Sequence, residues 1–283
     1  MTRRSVAVVT DSTAYLPDGL AAEHGIGVVP LHVVLGGRTG VEGVDVTPDQ
    51  VAAALVERRT EVSTSRPTPA EFAAAYRSAG ASQVVSVHLS SELSGTCDAA
   101  RLAGEEVAAE GIEVTVVDSR TLVMGLGFAV LAAAQAAASG AAAAQVAARA
   151  REVAERTTTL FLVDTLEHLR KGGRIGAASA LVGAALAVKP ILHVKDGVIG
   201  PLEKVRTASK ALARLEDLAV AAAGDGEVDV AMQHLGADDR AALLAEHLRA
   251  RLPRITTTLL SEIGAVVGAH TGPGLLGVVV SRR

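Results

Sequence analysis

Hydroxyl-bearing side chains cluster in four short segments of the chain, each next to an apolar run. Hydroxyl groups and the free amides of a helix N-terminus can hydrogen-bond a carboxylate or phosphate without reacting with it. At any one segment the same residues would serve equally well as helix caps. Four such segments together favour a site for an anionic ligand. The segments are Asp11-Ser12-Thr13, Ser63-Thr64-Ser65, Ser90-Ser91-Glu92-Leu93-Ser94-Gly95-Thr96 and Asp118-Ser119.

A nucleophilic serine is the alternative chemistry for the same residues. Ser94 as nucleophile, His270 as base and Asp118 as orienting group would make a hydrolase or transferase that acts on an acyl substrate. Ser94 does not lie in a G-x-S-x-G elbow. His270 lies between apolar runs, where a hydrogen-bonded structural histidine is the more frequent outcome. A third alternative is a regulatory protein that binds a different small anion.

Metal and nucleotide chemistry find little support in the sequence. The eight histidines are scattered, and no two are spaced i, i+4 on a predicted helix. The single Cys97 excludes an intramolecular disulfide and a cysteine-based zinc site. Gly272–Gly277 matches the dinucleotide fingerprint letter by letter, but it leads into a strand-like run instead of opening a helix. We therefore expect no metal and no cofactor apart from the bound ligand.

Composition describes a globular protein of two domains. The chain has 283 residues, of which 49% are hydrophobic and 20% charged, and its net charge of −4 argues against a nucleic-acid partner. The uncharged stretch Ile175–Val188 is shorter than the roughly 20 residues that cross a bilayer. The stretch Ile263–Ser281 contains His270, Pro273 and five glycines. We expect no integral membrane segment and, because a strand-like run begins at Val6 without a preceding signal segment, a cytoplasmic protein.

Strands and helices alternate in the first half of the chain, which predicts a parallel sheet covered by helices. The hydroxyl segments follow these strands, at the sheet edge where ligands of open α/β sheets gather. The predicted strands are Val6–Val9, Gly27–Leu35, Val84–Leu89 and Val114–Val117, and the helices are Leu16–Glu23, Asp49–Arg58, Gly95–Ala109 and Leu126–Ala138. Residues 63–67 are predicted as a loop that leads into a helix capped by Thr68.

The second half predicts a mixed α/β domain. An amphipathic connector from Ser139 to Arg156 separates it from the first half, so the predicted domains are 1–156 and 157–283. Asp196-Gly197 predicts a tight hairpin between Ile191–Lys195 and Val198–Val205. Residues 175–188 and 122–138 are rich in small and branched side chains. This composition is typical either of ordinary core helices or of the lining of a long apolar slot.

Seven motifs occur in the order typical of one family, and together they cover nearly the whole chain. With them the sequence resembles the DegV family, which includes the fatty-acid-binding component of bacterial fatty acid kinase. The motifs are Val8–Thr13, Thr64–Pro69, Leu89–Thr96, Val117–Ser119, Leu169–Ile175, Lys189–Leu192 and His270–Gly274. Three positions depart from the family pattern: Arg66 replaces the usual Gln, Thr68 replaces a common Ser, and Cys97 replaces a frequent Tyr.

The resemblance implies a carrier and not an enzyme. It implies a two-domain α/β protein that buries a long-chain fatty acid between its domains and presents the carboxylate to a separate kinase, which forms an acyl phosphate for phospholipid synthesis. It places the carboxylate near Thr64 and Ser94 with His270 close by, and Arg174 and Arg206 at the head group or the kinase-facing surface. The full set of expected ligand-binding residues is Thr64, Ser65, Ser94, Gly95, Thr96, Arg174, Arg206, His270 and Thr271.

Overall fold

The computed structural model describes residues 6–57, 60–181 and 189–283, without the side chains of 180 and 181. Its strands are β1 (Val6–Asp11), β2 (Ile26–Val29), β3 (His32–Leu35), β4 (Arg38–Val41), β5 (Val62–Ser65), β6 (Gln83–His88), β7 (Glu113–Asp118), β8 (Thr157–Leu162), β9 (Lys189–Lys195), β10 (Val198–Val205), β11 (Val228–His234), β12 (Ile255–Glu262) and β13 (Leu276–Arg282). Its α-helices are α1 (Leu20–His24), α2 (Pro48–Glu57), α3 (Pro69–Ser78), α4 (Thr96–Ala108), α5 (Met124–Ala138), α6 (Ala143–Glu155), α7 (Glu167–Lys171), α8 (Ala208–Ala223), α9 (Asp238–Arg251) and α10 (Ala265–Thr271). Two short 3-10 helices cover Ser12–Ala14 and Gly176–Leu181.

The chain forms two compact units. The first comprises Met1–His32 and Ser65–Arg156, and the second comprises Val33–Thr64 and Thr157–Arg283. The division after Arg156 coincides with the predicted domain boundary. Residues 33–64 group with the second unit instead of the first, because β3, β4 and β5 form a small sheet there and α2 packs on α10. The domain limits 1–156 and 157–283 therefore stay a prediction that differs from this grouping in one segment.

The first unit contains the predicted parallel sheet, in the order β2-β1-β6-β7. Successive side chains of a strand point to opposite faces. Val6 and Val8 accordingly pack with α5 and α6, whereas Ala7 and Val9 pack with α3 and α4. A sheet that is buried on both faces needs apolar residues at successive positions of its strands. The sequence of β1 is therefore a nearly continuous apolar run.

The second unit is mixed α/β, as predicted, with a six-stranded sheet in the order β10-β9-β8-β13-β11-β12. Strands β11 and β12 are parallel, and β13 runs antiparallel to β11 and to β8. The predicted hairpin of β9 and β10 is present, and Asp196 (φ 53°) and Gly197 (φ 87°) both adopt the left-handed backbone that a two-residue turn requires. Helices α8 and α9 cover one face of this sheet.

Two predicted elements differ from the structure by more than a shift of their ends. The run Gly27–Leu35 is broken at Pro30, which cannot donate to a strand ladder, into β2 and β3 of different sheets. Residues 63–65, predicted as a loop, belong to strand β5. The sequence offered no sign of this strand because its pairing depends on β3, almost thirty residues earlier.

The two stretches predicted to line a slot have different outcomes. Helix α5 is buried nearly all round, and its residues Leu126, Val130 and Ala133 pack into the core of the first unit. That face of α5 is part of the hydrophobic core. In the other stretch Ile175 is buried and a 3-10 helix follows, but residues 182–188 lie outside the described part of the chain.

Candidate functional site

Polar side chains of the second unit gather at one edge of its six-stranded sheet. Strands β8, β11 and β12 end at this edge, since β8 and β11 are both antiparallel to β13 and β12 is parallel to β11. Helices α7 and α10 pack against each other there. Ligands of α/β proteins bind at the carboxyl ends of strands, where side chains on the loops can converge.

The central contact of this edge joins Thr64 of β5 to His270 of α10. Thr64 Oγ1 and His270 Nε2 are 2.8 Å apart, although the two residues are 206 positions apart in the chain. The other ring nitrogen, Nδ1, is buried and has no hydrogen-bond partner among the described residues. The ring lies against the backbone of Gly172, and a Cβ atom at that position would collide with Nδ1.

The environment of His270 keeps its imidazole neutral. Burial, together with the nearby positive charge of Arg174, lowers the pKa of His270 to about 4. At neutral pH the ring therefore carries one N–H donor and one acceptor nitrogen. Such a ring can fix the direction of the Thr64 hydroxyl, but it is a weak base.

The structure therefore brings together Thr64, Arg174 and His270 of the predicted set. Arg174 is half-buried, and its Nη1 donates to the carbonyl oxygen of Gly172 at 2.5 Å. Thr271 is buried, and its hydroxyl donates to Val267 O at 3.0 Å, a bond within α10. Arg206 is exposed and makes no hydrogen bond or ion pair with a described residue.

The helix that carries His270 is not among the predicted elements. His270 occupies the last turn of helix α10, and Gly272 (φ 74°) ends that helix. Helix propensity does not predict this helix, because glycine and β-branched residues have low propensities. They occupy four positions here: Gly264, Val266, Val267 and Gly268. The glycines of the 272–274 motif instead allow close approach, because Cβ atoms at Gly272 and Gly274 would collide with His168 and Asp164.

The remaining predicted residues lie in the first unit. Ser94, Gly95 and Thr96 form the start of α4, where Ser94 Oγ and Thr96 Oγ1 are 2.9 Å apart. Ser65 is exposed at the end of β5. The side chain of Arg66 lies on Gly95, and a Cβ atom at Gly95 would collide with its guanidinium group. Arg66 makes no hydrogen bond or ion pair within the described ranges.

Asp11 fixes the segment that carries Ser94, a role that the sequence analysis missed. Its Oδ2 atom accepts from Leu89 N at 3.0 Å and lies 3.0 Å from His88 Nδ1, and its Oδ1 atom accepts from Thr13 N. On the other side His88 Nε2 is 2.7 Å from Ser86 Oγ. Asp11, Ser86 and His88 are fully buried. The available signal was a histidine inside an otherwise apolar buried strand, which needs partners.

In the hydrolase alternative Asp118 would orient His270, but its carboxylate binds other groups. Its Oδ2 atom accepts from Ser91 Oγ at 2.5 Å, and its Oδ1 atom accepts from Arg120 N at 2.8 Å. Within the described part of the first unit, no histidine is hydrogen-bonded to Ser94. The nucleophile and the orienting group of that alternative thus have other partners.

The described residues include neither a cluster of metal ligands nor a helix that could span a membrane. Among the residues with described positions, no three histidine, cysteine, aspartate or glutamate side chains are grouped so that they could hold a metal ion. No helix within the described ranges has the length and apolarity needed to span a bilayer.

Comparisons with known proteins all match one family, and the matches cover nearly the whole chain. The model of the DegV family matches residues 5–283. A DegV domain-containing protein of Streptomyces coelicolor is 54% identical over 283 residues, which cover 99% of both chains. A second one, from Mycobacterium tuberculosis, is 40% identical over 98% of this chain and 97% of its own.

Solved structures match equally fully. A DegV family protein from Thermus thermophilus, described for its fatty acid binding, has a TM-score of 0.92 at 34% identity and covers 98% of this chain and 99% of its own. DegV of Bacillus subtilis, described as a fatty acid binding protein, has a TM-score of 0.88 at 34% identity and 99% coverage of both chains.

Proposed function

Because the chain belongs to the DegV family, we propose that it binds a long-chain fatty acid and presents the carboxylate to a separate ATP-dependent kinase in the cytoplasm. In that reaction a carboxylate oxygen attacks the γ-phosphorus of ATP, ADP leaves, and an acyl phosphate forms. The bound fatty acid is the only ligand in this proposal. The chain itself is a carrier, and the partner supplies the chemistry.

Two lines of support come from the relatives. The Thermus thermophilus and Bacillus subtilis proteins are both described as binding fatty acids, and both align with this chain from end to end. Identity of 34% over the full length makes a shared ligand class the simplest expectation. The kinase partner and the place in phospholipid synthesis rest on the family resemblance alone.

The observation that carries the proposal is the bond between Thr64 and a neutral His270. If Nε2–H of the imidazole donates to Thr64 Oγ1, the hydroxyl proton of Thr64 is free to be donated to a carboxylate. Hydrogen bonds to a charged acceptor are stronger than neutral ones. The positive charge of Arg174 beside the ring favours an anion there without forming a covalent bond to it.

The other expected residues extend this proposal. Ser94, Gly95 and Thr96 would donate hydroxyl and amide hydrogens at the start of α4, with Ser65 next to Thr64 in the chain. Thr271 contributes by holding the last turn of α10 through its bond to Val267. The exposed Arg206 is proposed to face the kinase. The acyl chain is proposed to lie along the small and branched residues of 175–188 and 122–138.

The hydrolase alternative is less well supported. A general base works best with a pKa near the operating pH, whereas the pKa of His270 is lowered to about 4. Ser94 Oγ pairs with Thr96 Oγ1, and Asp118 binds Ser91. Ester turnover that is abolished by Ser94→Ala would nevertheless overturn the carrier proposal.

The deciding experiment is mass spectrometry of lipid extracted from the natively purified protein. We expect about one fatty acid per chain. After delipidation, Thr64→Val should bind oleate about tenfold more weakly, which corresponds to one lost hydrogen bond to a charged group. Ser63→Ala is the matched control, because Ser63 precedes Thr64 on the same strand and is exposed. Protein that is empty and takes up no added fatty acid would refute the proposal.

A further inference from the structure

Helix α10, which carries His270, is held at both ends by the segment 33–64. At its first turn, Glu42 Oε1 accepts from the backbone N–H of Val266 at 2.7 Å, across 224 positions of sequence. At its last turn, His270 Nε2 meets Thr64 Oγ1. Glu42 follows β4 and Thr64 lies in β5, so two parts of one segment contact the two ends of a helix of seven residues.

Glu42 supplies a cap that α10 lacks in its own sequence. The N-cap residue of α10 is Gly264, which has no side chain to accept from the first amides. A carboxylate is costly to bury unless it is hydrogen-bonded, and Glu42 is only 7% exposed. Its burial against the first turn of α10 is explained by this bond, because the partial positive charge of a helix N-terminus favours an anion.

The middle of the helix is fixed by packing. Helix α2, also from segment 33–64, contacts α10. A Cβ atom added at Gly268 would lie 3.0 Å from the side chain of Leu235 and 4.0 Å from that of the buried Val51 in α2. Contacts at both ends and in the middle therefore restrain the rotation of α10 about its axis, and with it the position of His270.

We propose that Glu42 is a positioning residue for His270: by fixing the first turn of α10, it sets the place where the imidazole meets Thr64 and the ligand carboxylate, without touching the ligand itself. The part of this inference that concerns the ligand rests on the proposed fatty-acid binding. The part that concerns His270 can be measured on the protein without ligand.

A role in stability alone would give a different result. Loss of any helix cap lowers stability, including loss of Thr207, whose hydroxyl accepts from Lys210 N at the start of α8. Only loss of Glu42 should release α10 and let water reach His270. Since burial is the largest cause that lowers the pKa of this ring and the charge of Arg174 is the second, release should raise the pKa from about 4 toward 6.5.

The test is an NMR titration of the histidine side chains in four proteins: wild type, Glu42→Ala, Glu42→Gln and Thr207→Ala. The His270 signal is identified by its absence in His270→Gln. We expect a higher His270 pKa in Glu42→Ala, recovery in Glu42→Gln, which keeps an oxygen acceptor, and no change in Thr207→Ala. Oleate affinity should fall about tenfold in Glu42→Ala and much less in Glu42→Gln.

An unchanged His270 pKa in folded Glu42→Ala would overturn the proposal, as would an equal change in Thr207→Ala. If Glu42→Ala does not fold, Glu42→Asp replaces it, because a side chain shorter by one methylene should shift the same signal in the same direction. Failure of the wild type to bind oleate would refute the proposed function and leave the titration result for Glu42 standing.

Discussion

The ring of His270 lies on the backbone of Gly172, close enough that a methyl group at Gly172 would collide with Nδ1. Gly172 has an ordinary φ of −74°, so its backbone conformation does not require glycine. Glycine is required at position 172 because the imidazole of His270 occupies the space that a side-chain methyl group would fill. Gly172 and Thr64 together fix the position of one ring.

We expect Gly172→Ala to weaken fatty-acid binding about tenfold, because the added methyl displaces the ring from Thr64. The melting temperature should change by only a few degrees, since alanine is favoured at this φ. Binding is measured by calorimetry with oleate. Gly226→Ala is the control, because nothing lies within 4 Å of a Cβ atom there. Equal affinities of the two variants would contradict this assignment.

We expect acid to destabilise the protein partly through His270. Its folded-state pKa of about 4 lies below the ordinary value of 6.5, so the unfolded state binds more protons between these values and stability falls as pH falls. The expected loss from this one group between about pH 7.5 and pH 5 is about 2 kcal/mol. Urea unfolding at both pH values measures it, and His270→Gln should show a correspondingly smaller pH dependence. A variant with the full wild-type dependence would assign the effect to other groups.

We expect Arg66→Gln to weaken oleate binding about threefold and to reduce its dependence on salt. The guanidinium group lies on Gly95, the residue that follows Ser94 in the chain, and an exposed charge acts through a screened field. Arg101→Gln is the control, because Arg101 lies in α4, the helix that begins after Gly95, but pairs with Asp98. Identical salt dependence in wild type and Arg66→Gln would show that Arg66 does not act on the ligand.

We expect Asp11→Ala to lower the free energy of unfolding by about 3 kcal/mol, because it leaves His88 and two backbone amides buried without their partner. Urea unfolding monitored by circular dichroism measures the change. Glu152→Ala removes exposed ion pairs with Arg149 and Arg156 and should cost much less. A loss at Asp11 as small as that at Glu152 would contradict a structural role for this network.

Sequence patterns predicted the elements that are determined by residues close together in the chain. The Asp196-Gly197 turn, the capping box of Thr68 and Glu71, and the first strand, predicted at Val6–Val9 and present as Val6–Asp11, all follow from residues within a few positions of one another. The hydroxyl segments likewise marked Thr64 as a candidate, because hydroxyls after apolar runs are visible in the sequence alone.

Features that depend on contacts between residues far apart in the chain were not predicted. Helix α10 has glycine where a cap should be, and its cap comes from Glu42, over two hundred residues earlier. Strand β5 exists because β3 is beside it. The neutral state of His270 depends on burial and on Arg174. No window along the sequence contains such pairs, so periodicity and propensity could not reveal them.

The separation of segment 33–64 from the residues it packs against has a consequence for synthesis on the ribosome. When residue 156 has emerged, β1, β2, β6 and β7 are all available and the first unit can close its sheet. The buried side chains of α2, among them Val51, pack against α10, which has not yet been translated. A chain that stops at Arg156 should therefore expose these side chains and aggregate, and a chaperone that recognises apolar segments should hold the nascent protein longest at residues 33–64.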